Sequence, residues 1–180
     1  CISIPADNFV KELIDYAAQN GRNGLGTVIV WSAGNSTCDT AMNPSLNDDR
    51  IVVVSALDLD SSFVYYSNYG INVNIAAPAG DSALGKGGLV TTDVSTPGKG
   101  FNPAFNNADA AYGYYPDQLF TKYFDGTSAA APVVSGAIAL MLSIKPEMTL
   151  VEAIDCMKKA AATPQFDCQH GDVETCFGAG

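Results

Sequence analysis

Thr27-Val28-Ile29-Val30-Trp31 is an unbroken run of β-branched and aromatic residues, and Ile51-Val52-Val53-Val54-Ser55 has the same character, four β-branched residues followed by a small one. A strand with one face in water alternates apolar and polar side chains; a run without alternation is what a strand covered by helices on both faces requires. The first run is predicted to stop at Ser32-Ala33-Gly34-Asn35, and a weaker third run, Asn72 to Ala77, ends at Pro78. Upstream, Phe9, Val10, Leu13, Ile14 and Ala17 form one apolar stripe against Lys11, Glu12, Asp15 and Gln19, in a helix opened by Ser3 and Pro5 and ended by Gly21. A helix followed by all-apolar strands predicts an α/β fold, a mostly parallel sheet with flanking helices.

Downstream the texture changes. Gly80 to Asp125 is rich in Gly, Asn, Ala, Asp and Tyr, with a strand predicted only at Gly88 to Val94. A loop region of that size inside a compact domain is functional or an insertion. Gly126 to Ile144 then reads as a helix that is apolar nearly all round, and so is expected to be enclosed on most sides, with Pro132 in its first turn. Its apolar core from Ala129 to Ile144 falls short of the roughly 20 residues that a bilayer needs, so it is read as a core helix and no membrane span is expected. Thr149 and Glu152 have capping-box spacing and open a last amphipathic helix through Ala162, stopped by Pro164.

The 180 residues are 47% hydrophobic and 16% charged, the balance of an ordinary globular domain with a sizeable core. A net charge of −10 excludes the electrostatic footprint of nucleic acid or anionic lipid. The chain opens Cys1-Ile2-Ser3-Ile4-Pro5, which is read as a processing boundary rather than a lipid attachment point or a catalytic terminal thiol. Five cysteines cannot all pair within the chain: Cys168 and Cys176 bracket a short polar loop and could close on each other, whereas Cys1, Cys38 and Cys156 cannot all be paired. No Cys/His pattern with zinc spacing occurs.

The chemistry is concentrated in Asp125-Gly126-Thr127-Ser128-Ala129-Ala130-Ala131-Pro132, where a hydroxyl stands at the point at which a glycine-containing turn enters an apolar helix. Free N–H groups and the positive dipole end at such a terminus would stabilise charge developing on an acyl oxygen. Two readings are open from the local pattern: Thr127 or Ser128 is a nucleophile, or it merely caps the helix.

Gly126-Thr127-Ser128-Ala129-Ala130-Ala131-Pro132, continued by Val133-Val134-Ser135-Gly136-Ala137, resembles the nucleophile signature G-T-S-x-A-x-P of the subtilisin-like serine proteases, the subtilases. Val28 to Asn35 resembles the family strand that ends in A-G-N. Ile51 to Asp58, Tyr65-Tyr66-Ser67-Asn68-Tyr69-Gly70 and Val73 to Pro78 are similar to the family's V-x-V-x-A-x-D, F-S-x-x-G and A-P segments, in the family's order. The resemblance covers residues 1–180 as the C-terminal part of one catalytic domain, with an insertion near 98–119.

The resemblance implies a serine endopeptidase that acts on peptide or protein substrates, with Ser128 as acyl-forming nucleophile. It implies that the Asn35 amide and the Ser128 N–H bind the oxyanion, and that Ser32, Ala33 and Gly34 form one wall of the primary specificity pocket. In the family the acid and base precede the oxyanion Asn. Only 34 residues precede Asn35, none of them His; Asp7 and Asp15 read as solvated, and the lone His170, beyond Ser128, reads as a surface residue. Without a base a serine hydroxyl is a poor nucleophile, so this chain alone is expected to be nearly inactive. The Asp and His are expected on an upstream half of the domain, as a partner piece. The other reading is a non-catalytic pseudoprotease or interaction scaffold. Ala129 stands where many members carry Met, and Val133 where a non-catalytic His is common. No cofactor is required by this chemistry; the resemblance allows calcium as a structural ion, with no run that names ligands, and the cysteines and acidic charge favour a secreted, extracellular setting.

Overall fold

The computed structural model describes residues 7–85, 87–94 and 119–161. The expected insertion, but for Leu119, and the polar loop carrying Cys168, His170 and Cys176 lie outside the described residues.

Helix α1 (Asn8–Asn20) is capped by Asp7, whose carboxylate accepts the Phe9 N–H at 2.9 Å, so it starts a turn later than Ser3 and Pro5 predict. It buries Ile14, and Asp15 on its flank pairs with Arg50, which also holds Asp48 by two bonds of 2.8 and 2.6 Å. Strands β1 (Ile29–Ser32), β2 (Ile51–Leu57) and β3 (Ile75–Pro78) form a parallel sheet in the order β1-β2-β3, with Val30 opposite Val52 and Ala56 opposite Ala77.

The central strand accounts for the uninterrupted apolar run. All of Ile51–Leu57 is buried. Val52, Val54 and Ala56 point to one side, into a cluster with Ala129, Ala130, Val134, Ile138, Leu150, Ile154 and Met157. Ile51 and Val53 point to the other, with Ile14, Ala33, Leu46 and Val73. Helices cover both faces, so the strand is apolar on both, with Ser55 its one polar residue, itself fully buried.

Strand β4 (Leu89–Thr92) is where one was predicted, but it pairs antiparallel with β5 (Phe120–Phe124), a segment read as loop. Phe120-Thr121-Lys122-Tyr123-Phe124 has strand-compatible residues but lies in a Gly- and Asn-rich neighbourhood, and pairing across a long connection decides its state. Helix α2 (Thr127–Ile144) crosses the sheet, and α3 (Leu150–Ala160) packs beside it, opened by the predicted capping box between Thr149 and Glu152.

Helix α2 departs from expectation twice. Pro132 is the sixth helical residue rather than a first-turn residue, so the Ser128 carbonyl receives no i+4 donor. The helix is also less enclosed than its composition predicts: Thr127, Ala129, Ala130, Val134 and Ile138 are buried, while Val133, Leu140 and Ile144 are exposed, Ile144 at 85%. By length and composition α2 could cross a membrane, but its Ala130, Val134 and Ile138 side is taken up by the sheet.

Replacing Ile138, 3% exposed, by Ala is expected to cost about 2–5 kcal/mol in a denaturant titration, through lost burial and a residual cavity. The Thr149 N–H and hydroxyl hold the Glu152 carboxyl below its ordinary value. A depressed folded-state pKa means that this contribution is present above the ordinary Glu range and is lost as pH falls through the folded value. Protection factors of the α3 amides, corrected for the intrinsic pH dependence of exchange, should therefore fall on acidification, and Thr149→Ala, which keeps the backbone donor but removes the hydroxyl, should weaken that acid-dependent component.

Candidate active site

Three polypeptide segments meet at the carboxyl ends of the parallel strands, the edge where open α/β sheets bind ligands. They are the loop leaving β1, the turn that enters α2, and the turn Tyr65–Gly70 that follows β2.

Gly126 makes the turn into α2. Its φ of 83° lies in the region that disfavours side chains, and a Cβ there would come within 2.9 Å of the Asn35 Nδ2 atom. Neither Thr127 nor Ser128 caps the helix through its side chain; the N-cap is Gly126, with no side-chain cap bond. The Thr127 hydroxyl is used otherwise. It donates to the Asn35 Oδ1 atom at 2.8 Å and accepts the Gly34 N–H at 3.1 Å, and the Thr127 N–H also donates to Asn35 Oδ1, at 2.9 Å. A backbone N–H can only donate, so the amide end that faces Thr127 must be the oxygen. The Nδ2 group of Asn35 is thereby turned the other way, beside Gly126.

The helix start has one unused donor. The Thr127 N–H goes to Asn35, and those of Ala129 and Ala130 turn back onto the Gly126 carbonyl at 2.9 and 3.3 Å. Among the described residues the Ser128 N–H has no acceptor, and its side chain is exposed. Ser128 therefore presents a hydroxyl and a free N–H together at the positive end of an 18-residue helix, with the Asn35 amide held one residue away.

Ser32 is the last residue of β1, Ala33 is buried, and Gly34 has a φ of 105°. A Cβ on Gly34 would meet the Asn68 amide at 2.5 Å, which is why the loop takes glycine there. Tyr66 donates its hydroxyl to the Gly80 carbonyl at 2.5 Å and accepts the Gly126 N–H at 3.1 Å. Burial pushes its pKa up to about 12; donation from Gly126 opposes the rise, and the charges of Asp125 and Asp81 add to it. The phenol is thus a neutral donor and acceptor at neutral pH.

The structure brings Asn35, Gly34 and the Thr127-Ser128 turn together. Asp7 and Asp15 stand apart on α1, as an N-cap and an Arg50 partner. The sulfur of Cys38 is disulfide-bonded, and Cys156 is a free, exposed thiol. The sequence reading missed Thr127 as the residue that orients Asn35, and it missed Asn68. Their signal was faint: single polar residues inside motif segments, whose contacts are 92 and 30–35 positions away.

The profile of the Subtilase family, peptidase S8, matches residues 2–180. The chain is 29% identical over 157 residues to a "Calcium-dependent protease" of Trichormus variabilis, which covers 87% of this chain and 23% of that protein. It is 28% identical over 167 residues to the "Aeromonas extracellular serine protease" of Aeromonas sobria, which covers 87% of this chain and 26% of that protein. The crystal structure of a serine protease of Aeromonas sobria superposes with a TM-score of 0.75 at 22% identity, over 90% of this chain and 32% of that one. The chain thus spans about a quarter to a third of the relatives it matches. With the parallel sheet, the glycine turn into α2 and a family match along nearly its whole length, this chain belongs to the subtilase family and has the subtilisin-like α/β fold.

Proposed function

We propose that this chain is the nucleophile-bearing part of a secreted serine endopeptidase. The observation that carries the reading is the Ser128 corner: an exposed hydroxyl and an unused N–H at one helix start, beside an Asn35 amide whose oxygen is fully engaged. In this reading the Ser128 Oγ atom attacks the scissile carbonyl as a base removes its proton. The negative charge that develops on the carbonyl oxygen is met by the Ser128 N–H and by Asn35 Nδ2, together with the helix dipole. The C–N bond then breaks, the amine leaves with the proton, and water hydrolyses the Ser128 ester. Ser32, Ala33 and Gly34 line one side of the cleft for the substrate side chain, and their small size leaves it room.

The base and its orienting acid come, in this proposal, from polypeptide beyond these residues, either an upstream part of the same domain or a separate piece that stays associated. Two features support a companion. The exposed side of α2 carries Val133, Leu140 and Ile144, and among the described residues β1 pairs along one edge only. Apolar surface and an open strand edge are both costly to leave in water. Residues 1–180 would then belong to one catalytic domain, with the segment near 98–119 as a loop inserted between β4 and β5. Secretion is supported by the name of the Aeromonas sobria relative. A structural calcium ion is supported by the name of the Trichormus relative; no group of three or more His, Cys, Asp or Glu among the described residues would hold a metal, and no step is routed through one.

A fluorophosphonate probe should label Ser128 in the whole protease, and Ser128→Ala should abolish labelling; an unlabelled, fully assembled protein would mark the scaffold reading instead. Asn35→Leu should lower kcat by about 100- to 1,000-fold with KM little changed, the magnitude being that known for the corresponding donor in subtilisin rather than one derived from this chain. Thr127→Val removes one of the two donors to the Asn35 oxygen and the acceptor for Gly34. It should lower kcat by about tenfold and cost about 1–3 kcal/mol of stability, read by steady-state kinetics and thermal unfolding.

A further inference from the structure

Three consecutive side chains after β2 reach three different parts of the fold. Tyr66 bridges the Gly80 carbonyl and the Gly126 N–H, so it grips the turn that carries Thr127 and Ser128. Ser67 is fully buried; its hydroxyl accepts the Ala56 N–H of the central strand at 3.0 Å and donates to the Asn68 carbonyl at 3.1 Å. Asn68 takes the loop that carries Asn35, and takes it on both sides. Its Nδ2 donates to the Ala33 carbonyl at 2.8 Å and its backbone N–H to the Gly34 carbonyl at 2.9 Å; beyond Asn35, its Oδ1 accepts the Ser36 and Cys38 N–H groups at 3.0 and 2.9 Å.

We infer that Tyr66-Ser67-Asn68 is a positioning clamp for catalysis, which sets the oxyanion-binding Asn35 loop and the Ser128 turn at a fixed separation from a single anchor on the central strand. This rests on the serine-peptidase reading above. The geometry is economical: Asn35 touches Thr127 directly, but the backbone that presents Asn35 has its Ala33, Gly34, Ser36 and Cys38 polar groups tied to one side chain and its own N–H. The Thr127 bonds and the Ala33 N–H bond to the Val54 carbonyl hold this loop at and before Asn35; beyond Asn35 the Tyr66–Asn68 turn holds it through Ser36, Thr37 and Cys38, and Ser67 ties the same turn to β2, whose seven residues are all buried. Tyr66 adds what a phenylalanine at that place in the F-S-x-x-G segment would lack, a hydroxyl that holds the Gly126 N–H. None of the three side chains needs to touch substrate; they act through Asn35 and Gly126.

The test uses the whole protease with a peptide anilide, measuring kcat and KM separately alongside thermal unfolding. Asn68→Ser is expected to lower kcat about tenfold and Tyr66→Phe about threefold, each with KM within about twofold, since a sub-ångström misplacement acts on the transition state rather than on ground-state binding. In an Asn35→Leu background, Asn68→Ser should lower kcat no further, because the residue it positions is gone. Additive losses in that double variant, or an unchanged kcat in folded single variants with only a lowered Tm, would overturn the clamp. Tyr66→Phe removes one oxygen atom and keeps the test decisive if Asn68→Ser does not fold. A wild-type protease that neither turns over peptide nor labels with fluorophosphonate would sink the serine-peptidase reading and the clamp with it; an active wild type with indifferent variants would sink the clamp alone.

Discussion

The Oδ1 atom of Asn35 accepts two hydrogen bonds from Thr127, and much of the site depends on that oxygen. It ties the loop leaving an outer strand to the first residue of a core helix 92 positions later. It also decides which way the amide faces, because the partner is a backbone N–H that cannot accept. Two glycines follow from the same contact. Gly126 leaves space where the amide lies close, and Gly34 lets its own N–H reach the Thr127 hydroxyl while Asn68 presses from behind. A side chain at either place would push apart the groups that the bond joins.

That contact is possible only because α2 crosses the parallel sheet with its N-terminus over the strands' carboxyl ends. The helix is held there by Ala129, Ala130, Val134 and Ile138, small or β-branched residues for the most part, which let the helix lie close against Val52 and Val54. The same element has a second, opposite character. Val133, Leu140 and Ile144 face outward, and the sequence of α2 carries more apolar surface than the described fold buries. Among the described residues β1 pairs along one edge only, and β1 and α2 are the element pair that frames the site.

The loops of the site are held mostly by polar contacts. Tyr66, Ser67, Asn68 and Thr127 satisfy backbone groups in loops that have no ladder of their own, so these loops behave as extensions of the sheet. Buried or half-buried polar groups impose geometry more strictly than apolar contacts do, because an unmade bond costs the full desolvation of its donor or acceptor.

The sequence alone determined the α/β class, the buried central strand, the α2 and α3 segments, the Thr149 capping box and the family, because each is written in local patterns: unbroken apolar runs, capping spacing and short motifs read in order; the Thr27–Trp31 run, expected to be buried on both faces, is only half-buried along β1. It also singled out Ser128 and Asn35 as candidates from the words that contain them. What it could not determine was anything that depends on residues meeting across the fold. β5 became a strand only because β4 lies beside it; Thr127 became the holder of Asn35 rather than a cap; and Asn68 and Tyr66 acquired partners that no spacing rule relates to them. Local pattern records the backbone's preference and the face to be buried. The direction of a side-chain hydrogen bond is settled only when tertiary packing brings a donor and an acceptor within 3 Å of each other.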